Sequence, residues 1–462
     1  CIVALLGNLT GSSQFFNPSE FYNGVATQSL RFDDGSSAKL EKTPNASNRK
    51  THTLSMWIKR CELGADNSLL RANGSGDTGR TDIWFDNNDK LNVAGSSTYF
   101  RITNRRFRDV SSWYHIVFAF DTTDGTADNR LKIYVNGVQE TSFATNNAYS
   151  QNTDYGINGN VAHQIGTGYA HFDGYIAEVN FIDGTQYDAS YFGETKNGVW
   201  IPKGYSSSYG TNGFRLQFKQ TGTGTASAST IGADTSGNNN HYTSTNLVAS
   251  DSNMPDCPEN NWCTLNPVDI DENSSGAATS EGNLGWTNVN ANVDSTFGFG
   301  NQGGKYYWEY LYVSSTDSNH YQGVTLQKDG ISLTNAFSTG IALYFNDGTT
   351  RVDGTSGTGF GGQIGADNII QFKLDLDNGT LQFGKNNTYI DALTLPTSVG
   401  GWRAGGIQAA GTGGTRVFVV NYGQDSSFAG NKTAQGNTDE NGLGDFYYAV
   451  PSGFLAVCSA NL

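Results

Sequence analysis

Long apolar runs are missing from this sequence. The longest of note, Ile2-Val3-Ala4-Leu5-Leu6, falls far short of the roughly 20 residues a membrane-spanning helix needs, so no membrane insertion is expected. It also lacks a basic flank and a small-residue cleavage pattern, so it does not read as a secretory signal. Cys1 fits removal of an initiator Met, with a lipid-modified cysteine as the alternative. Basic charge is in deficit: 28 Lys and Arg stand against 43 Asp and Glu, a net charge of −15. Such a chain repels phosphate backbones, which excludes a general nucleic-acid role. The five cysteines, Cys1, Cys61, Cys257, Cys263 and Cys458, are odd in number and scattered, which is no disulfide framework. Cys257 and Cys263 stand close enough to close a small loop, but no second pair stands at zinc-site spacing. Unpaired, mostly buried thiols are the expectation. Helical periodicity is nearly absent too; only Asp188–Gly193 reads as a single helical turn, ended by glycine.

What the chain has in quantity is glycine, 58 residues of 462, and aromatics, 8 Trp, 23 Tyr and 26 Phe, separated by Asn, Ser and Thr. Large flat side chains between turn formers favour β structure. In Arg130-Leu131-Lys132-Ile133-Tyr134-Val135 the apolar residues fall on alternate positions, the period of a half-buried strand. Ile370-Gln371-Phe372-Lys373-Leu374-Asp375-Leu376 repeats the pattern, and Trp113–Phe120 is another run of β formers. Asp34-Gly35, Asp124-Gly125, Asn136-Gly137, Asp173-Gly174, Asp183-Gly184, Asp329-Gly330, Asp347-Gly348 and Asn378-Gly379 punctuate these runs with residues that tolerate positive φ. The length suits two large all-β units. The fold class is therefore all-β: two antiparallel β-sandwiches.

The expected organisation is an N-terminal arm over 1–28, a jelly roll over 29–220, a polar linker over 221–262, a second sandwich over 263–430 and a docked C-terminal tail over 431–462. The linker is placed on low-complexity stretches such as Thr221-Gly222-Thr223-Gly224-Thr225 and Ser236-Gly237-Asn238-Asn239-Asn240. Phe214–Phe218, just before it, reads as a strand that completes the first sandwich.

Ser29–Phe32, Thr53–Arg60, Trp113–Val117, Lys132–Gly137 and Phe172–Val179 stand in an order and spacing that resembles laminin-G-like, concanavalin-A-like jelly rolls. Gly304–Tyr310, Phe372–Leu381 and Val420–Gln424 resemble a SPRY domain. The tandem is similar to virion-associated proteins of tailed phages of marine bacteria. That resemblance implies a non-enzymatic structural or adsorption component at the virion surface, a capsid decoration, fibre or tail part. Its expected partners are other virion proteins, host cell-surface polysaccharide and further copies of itself. The alternatives are a host-glycan adhesin and a polysaccharide depolymerase.

Several residue groups test these readings. Trp84-Phe85-Asp86-Asn87-Asn88-Asp89, with Tyr99 beyond, offers rings on which sugar C–H faces stack and planar groups for their hydroxyls. Trp84, Asp86, Asn87, Asn88, Asp89 and Tyr99 are therefore the candidate ligand-binding residues; the competing reading makes Trp84 core and the Asn-Asn-Asp tip a plain turn. Ile2, Val3, Leu5 and Leu6 form a candidate apolar anchor, with a core strand as the alternative. The SPRY-like half offers the loop 314–321 as a recognition rim. Hydrolysis would need two carboxylates on one face. The chain has no Glu-x-Asp-x-x-Glu strand, and Glu178 and Asp183, five apart, would fall on opposite faces of a regular strand, so no catalytic residue is expected and Glu178 reads as a surface or sheet-edge carboxylate. The histidines, His52, His115, His163, His171, His241 and His320, show no metal spacing, and His115 reads as a satisfied sheet residue. No metal site and no cofactor is assigned. The one alternative is calcium at the loop Asp121–Asp128, where Asp121, Asp124 and Asp128 cluster; an acidic hairpin loop accounts for them equally.

Overall fold

Along the strand Thr51–Arg60, Leu54, Met56 and Ile58 enter one core while Trp57 enters another on the opposite face. A pleated backbone imposes this alternation, and both faces are buried because both are covered. The computed structural model describes residues 21–270, 277–288, 291–300, 303–316, 322–328, 339–398, 401–409 and 414–462. The candidate anchor Ile2, Val3, Leu5 and Leu6 and most of the loop 314–321 lie outside the described residues.

The first sandwich is two antiparallel sheets. One runs, in spatial order, Val138–Gln139, Leu131–Val135, Tyr114–Asp121, Thr51–Arg60, Gly174–Asp183, Ser29–Phe32 and Ser252–Met254. The other runs Phe143–Asn146, Tyr99–Arg106, Lys90–Ala94, Arg80–Phe85, Asn67–Asn73, His163–Ile165, Lys39–Lys42 and Thr243–Thr245. Phe32, Leu70, Phe85, Phe118 and Ile176 fill the space between them. Phe214–Leu216 pairs with the far half of Gly174–Asp183, as its sequence leads one to expect.

Residues 221–262, expected as a polar linker, are threaded into this sandwich. Thr243–Thr245 pairs with Lys39–Lys42 and Ser252–Met254 with Ser29–Phe32, while Ile231, Tyr242 and Leu247 are buried in the core. Single apolar residues among Ser, Thr and Asn give no periodic run to detect, so composition concealed the role.

Asn136-Gly137 makes the tight hairpin its sequence predicts, with φ of 48° and 82°. Asp173-Gly174 does not reverse the chain. Gly174 opens the strand Gly174–Asp183 at φ 144°, where a Cβ would lie 2.2 Å from the Lys59 carbonyl oxygen, so it serves close backbone approach.

The second sandwich pairs a sheet ordered Leu265–Ile270, Val293–Ser295, Gly406–Ala409, Gln322–Leu326, Ile341–Tyr344, Thr350–Val352 and Thr355–Gly357 with one ordered Ala278–Ser280, Gly285–Asn288, Arg416–Asn421, Lys305–Ser315, Ile369–Asp375, Thr380–Lys385 and Thr388–Tyr389. Trp308 and Tyr310 pack on Phe372 inside it. On the opposite face Tyr307 is buried with Trp262, Phe446, Ala456 and Cys458. The tail is fixed to this strand by backbone bonds, Leu455 N–H donating to Lys305 O and Tyr307 N–H to Leu455 O.

The two sandwiches share one continuous apolar cluster, with Trp57, Cys61, Trp113 and Tyr175 meeting Leu265, Leu284 and Trp286. Lys59 Nζ reaches Asp256 Oδ2 at 2.8 Å, and Arg31 bonds both Asp251 and Asp425. Burial leaves Arg31 charged, because the three carboxylates Asp425, Asp251 and Glu281 outweigh the desolvation that opposes it. The four described cysteines, Cys61, Cys257, Cys263 and Cys458, are buried free thiols.

Candidate functional site: an aromatic face on the second sheet

The outer side of the first sheet is taken up by packing. The second sandwich covers one end; at the other, Val117 and Ile182 pack with Phe192 and Tyr205. The hairpin of Gly193–Lys196 and Val199–Pro202 carries Trp200, whose Nε1–H donates to His115 Nδ1 at 3.0 Å. Ser55 Oγ meets His115 Nε2 at 2.8 Å, so both ring nitrogens are satisfied, and burial holds the ring neutral with its pKa lowered to about 3.

The second sheet is different. In Arg80–Phe85, Ile83 and Phe85 point into the core, so Arg80, Asp82 and Trp84 share the outer face. Trp84 stands between two half-exposed tyrosines, 4.8 Å from Tyr169 and 5.8 Å from Tyr99 between ring centroids, each tilted by 54°. The Arg71 and Arg80 guanidiniums lie 5.1 and 5.0 Å from the Tyr169 ring centroid. Both are held by Asp82, which accepts Arg71 Nε–H on one oxygen and Arg80 Nε–H on the other, each at 2.5 Å. Partial burial raises the Tyr169 phenol above its ordinary pKa, with Asp82 adding to it.

Across the strands the same face continues through the cross-strand row Glu41, Gln164, Arg71 and Asp82. Gln164 Nε2–H donates to Glu41 at 2.6 Å and Lys39 Nζ–H at 2.8 Å, and these bonds hold the Glu41 carboxyl below its usual range. The turn that leads into Tyr99 is held by Asp77, whose carboxylate accepts Ser97 N–H (2.6 Å), Thr98 N–H (3.1 Å) and both hydroxyls. Those bonds lower the Asp77 pKa to about 2. The face therefore combines two half-exposed tyrosine rings seated on the buried Trp84, two guanidiniums, an amide and two carboxylates, a set able to stack on a sugar and to bond its hydroxyls.

Of the sequence-predicted residues, Trp84 and Tyr99 are brought together, but Trp84 is only 3% exposed, as the competing core reading has it, and supports the tyrosine rings without offering its own face to a ligand. Asp86 is occupied within its own turn, accepting from Asn88 and Lys90 N–H, and Asn87 and Asn88 are exposed at the tip. Asp89 is corrected as a ligand residue: its carboxylate is buried between Arg60 (3.2 Å) and Arg108 (2.8 Å) and accepts Gly64 N–H. The sequence reading missed Arg71, Arg80, Asp82 and Tyr169. Arg80 and Asp82 carried a usable signal, since they alternate with Trp84 on one strand; Tyr169 did not, because it arrives from a loop 85 residues downstream.

Glu178 is buried in the middle of its strand, not at a surface or edge. It sits at φ 47° where the register with Thr51–Arg60 slips, and it pairs with Arg215 at 2.6 Å. The slip removes the regular alternation that would put it on the face opposite Asp183. Asp183 is engaged elsewhere, by Ser47, Asn158 and Asn212, so the two carboxylates share no partner. In the loop Asp121–Asp128, Asp121 bonds Thr123, Asp124 bonds Thr126 N–H and Asp128 bonds Asn146. These carboxylates satisfy separate neighbours, and among the described residues no group of three or more His, Cys, Asp or Glu is arranged to hold a metal ion.

No curated protein matches the chain. Several solved structures are similar over part of it. The SPRY domain of human HERC1 is 15% identical, covering 35% of this chain and 97% of its own, with a TM-score of 0.29. Domain 4 of AbnA, a GH43 extracellular arabinanase from Geobacillus stearothermophilus, solved with arabinotriose, is 20% identical, covering 31% and 64%, with a TM-score of 0.22. A heptameric SAP-like pentraxin from Limulus polyphemus is 16% identical, covering 35% and 76%, with a TM-score of 0.25. Residues 32–189, which include every residue of the aromatic face, match the Laminin_G_3 family model, described as the concanavalin A-like lectin/glucanases superfamily.

Proposed function

We propose that this protein is a non-enzymatic glycan-binding module, displayed on the surface of a tailed-phage particle, where it attaches to host-cell polysaccharide. The observation that carries the binding reading is Trp84 flanked by the half-exposed Tyr99 and Tyr169 on an outer sheet face. Exposed aromatic groups clustered beside hydrogen-bonding side chains mark a recognition surface. The superfamily match over the same residues supports it. Catalysis is left out because Glu178 and Asp183 are separately engaged. The particle placement rests on the resemblance of the tandem sandwiches to virion-associated proteins, and multivalent display would strengthen weak individual sites.

The test is binding of the purified chain to a glycan array and to host-derived polysaccharide. Binding is expected, and Tyr99→Ala and Tyr169→Ala are each expected to weaken it about two- to tenfold, the range of a stacking contact. Binding unchanged in both variants, or absent from the start, refutes the site. Reducing ends released from the polysaccharide refute the non-enzymatic reading. Mass spectrometry of purified particles that fails to find the chain refutes its placement on the virion.

A further inference from the structure

Arg71 and Arg80 both give their Nε–H to Asp82, whose side chain is almost wholly excluded from solvent. One carboxylate thus orients two guanidiniums and leaves a surplus positive charge on this trio, while Glu41 along the same row is offset by Lys39. Among the described residues, neither Arg71 nor Arg80 uses its Nη groups in a hydrogen bond to the protein, and both guanidiniums lie against the half-exposed Tyr169 ring. We propose that this face selects anionic polysaccharide, with Arg71 and Arg80 reading a carboxylate or sulfate on the sugar. The inference rests on the glycan-binding reading above.

The guanidinium fork matches a planar or tetrahedral oxyanion in two parallel bonds, and such charge-assisted bonds are the stronger kind. Asp82 fixes the Nε edges, so little side-chain freedom is lost when the Nη edges engage a ligand. The location also answers an electrostatic problem. A chain of net charge −15 repels an anionic polymer on average, so capture requires a local cationic patch, and this one adjoins the rings on which a sugar would stack. The Nη–H groups can also bond the hydroxyls of a neutral sugar, but only an oxyanion meets both the fork geometry and the charge.

The experiment compares probes that differ only in charge: polygalacturonate against its methyl ester, and dextran sulfate against dextran, titrated into the full chain at about 0.15 M salt, where screening sets in beyond about 8 Å. The charged member of at least one pair is expected to bind about tenfold tighter or more. A preference in a single pair identifies the anionic group. Arg71→Gln and Arg80→Gln are expected to remove most of that preference, whereas Tyr99→Ala weakens charged and neutral ligands alike; thermal melts verify that each variant is folded. Equal affinity within both pairs overturns anion selection while leaving glycan binding in place. A charge preference that survives the double arginine variant overturns the assignment to these residues. No binding of any probe overturns the selectivity and the glycan-binding reading together.

Discussion

Lys59 Nζ lies 2.8 Å from Asp256 Oδ2 with both side chains sealed from solvent, and the same ammonium also donates to Asn261 Oδ1 (2.8 Å) and Trp262 O (3.1 Å). Asp256 in turn accepts Trp113 Nε1–H at 3.1 Å. This cluster ties the first sandwich to the segment that enters the second. Removing one partner leaves a buried charge without its counter-ion, which costs about 3 to 5 kcal/mol. Asp256→Ala is therefore expected to lower unfolding free energy by that amount in urea titrations. A loss under about 1 kcal/mol, the scale of exposed pairs, would show that the junction is wetter than the structure places it.

Glu309 gives a pH dependence of unusual sign. Its buried carboxyl is raised from 4.5 to about 7 by desolvation, against the pull of Tyr448 and Tyr447 N–H, Tyr307 Oη and Asn421. A folded-state pKa above the unfolded value means that its contribution is fully present below pH 4.5 and is lost as pH rises through about 7. Relative to Glu309→Gln, the natural chain is expected to lose stability between those limits, measured by chemical denaturation across pH 4 to 8. Parallel pH profiles for the two proteins would contradict it.

Asp77 behaves in the usual direction. With its folded pKa lowered from 3.8 to about 2, its support of the Ser97-Thr98 turn is present above pH 3.8 and lost as pH falls through 2. Because that turn leads directly into Tyr99, Asp77→Ala is expected to weaken glycan binding at neutral pH while the melting temperature stays within a few degrees. A drop in melting temperature with unchanged binding would mean that the turn is structural and does not position Tyr99.

Gly137 combines a φ of 82° with a Cβ position 2.5 Å from the Trp200 ring. Gly137→Ala meets both a left-handed backbone penalty and a clash, so a loss of about 1 to 3 kcal/mol is expected in equilibrium unfolding. Gly198, also at positive φ but with nothing within 4 Å, supplies the control: Gly198→Ala carries the backbone penalty alone and is expected to cost less.

The sequence by itself determined the all-β class, because alternation within Leu131–Val135 and Ile369–Asp375 is a local property of a pleated strand. It also determined the Asn136-Gly137 hairpin and placed Trp84 and Tyr99 as candidates. Tertiary structure alone decided what stood beside them. Alternation says that a strand has two faces but not which neighbour covers each, so the open face of the second sheet, the arrival of Tyr169 beside Trp84 and the capture of Asp89 by Arg60 and Arg108 were all illegible. The same holds for residues 221–262, whose partners Lys39–Lys42 and Ser29–Phe32 lie some two hundred residues earlier. Strand pairing over such separations is set by the packing of the whole sandwich, and no local run of residues encodes it.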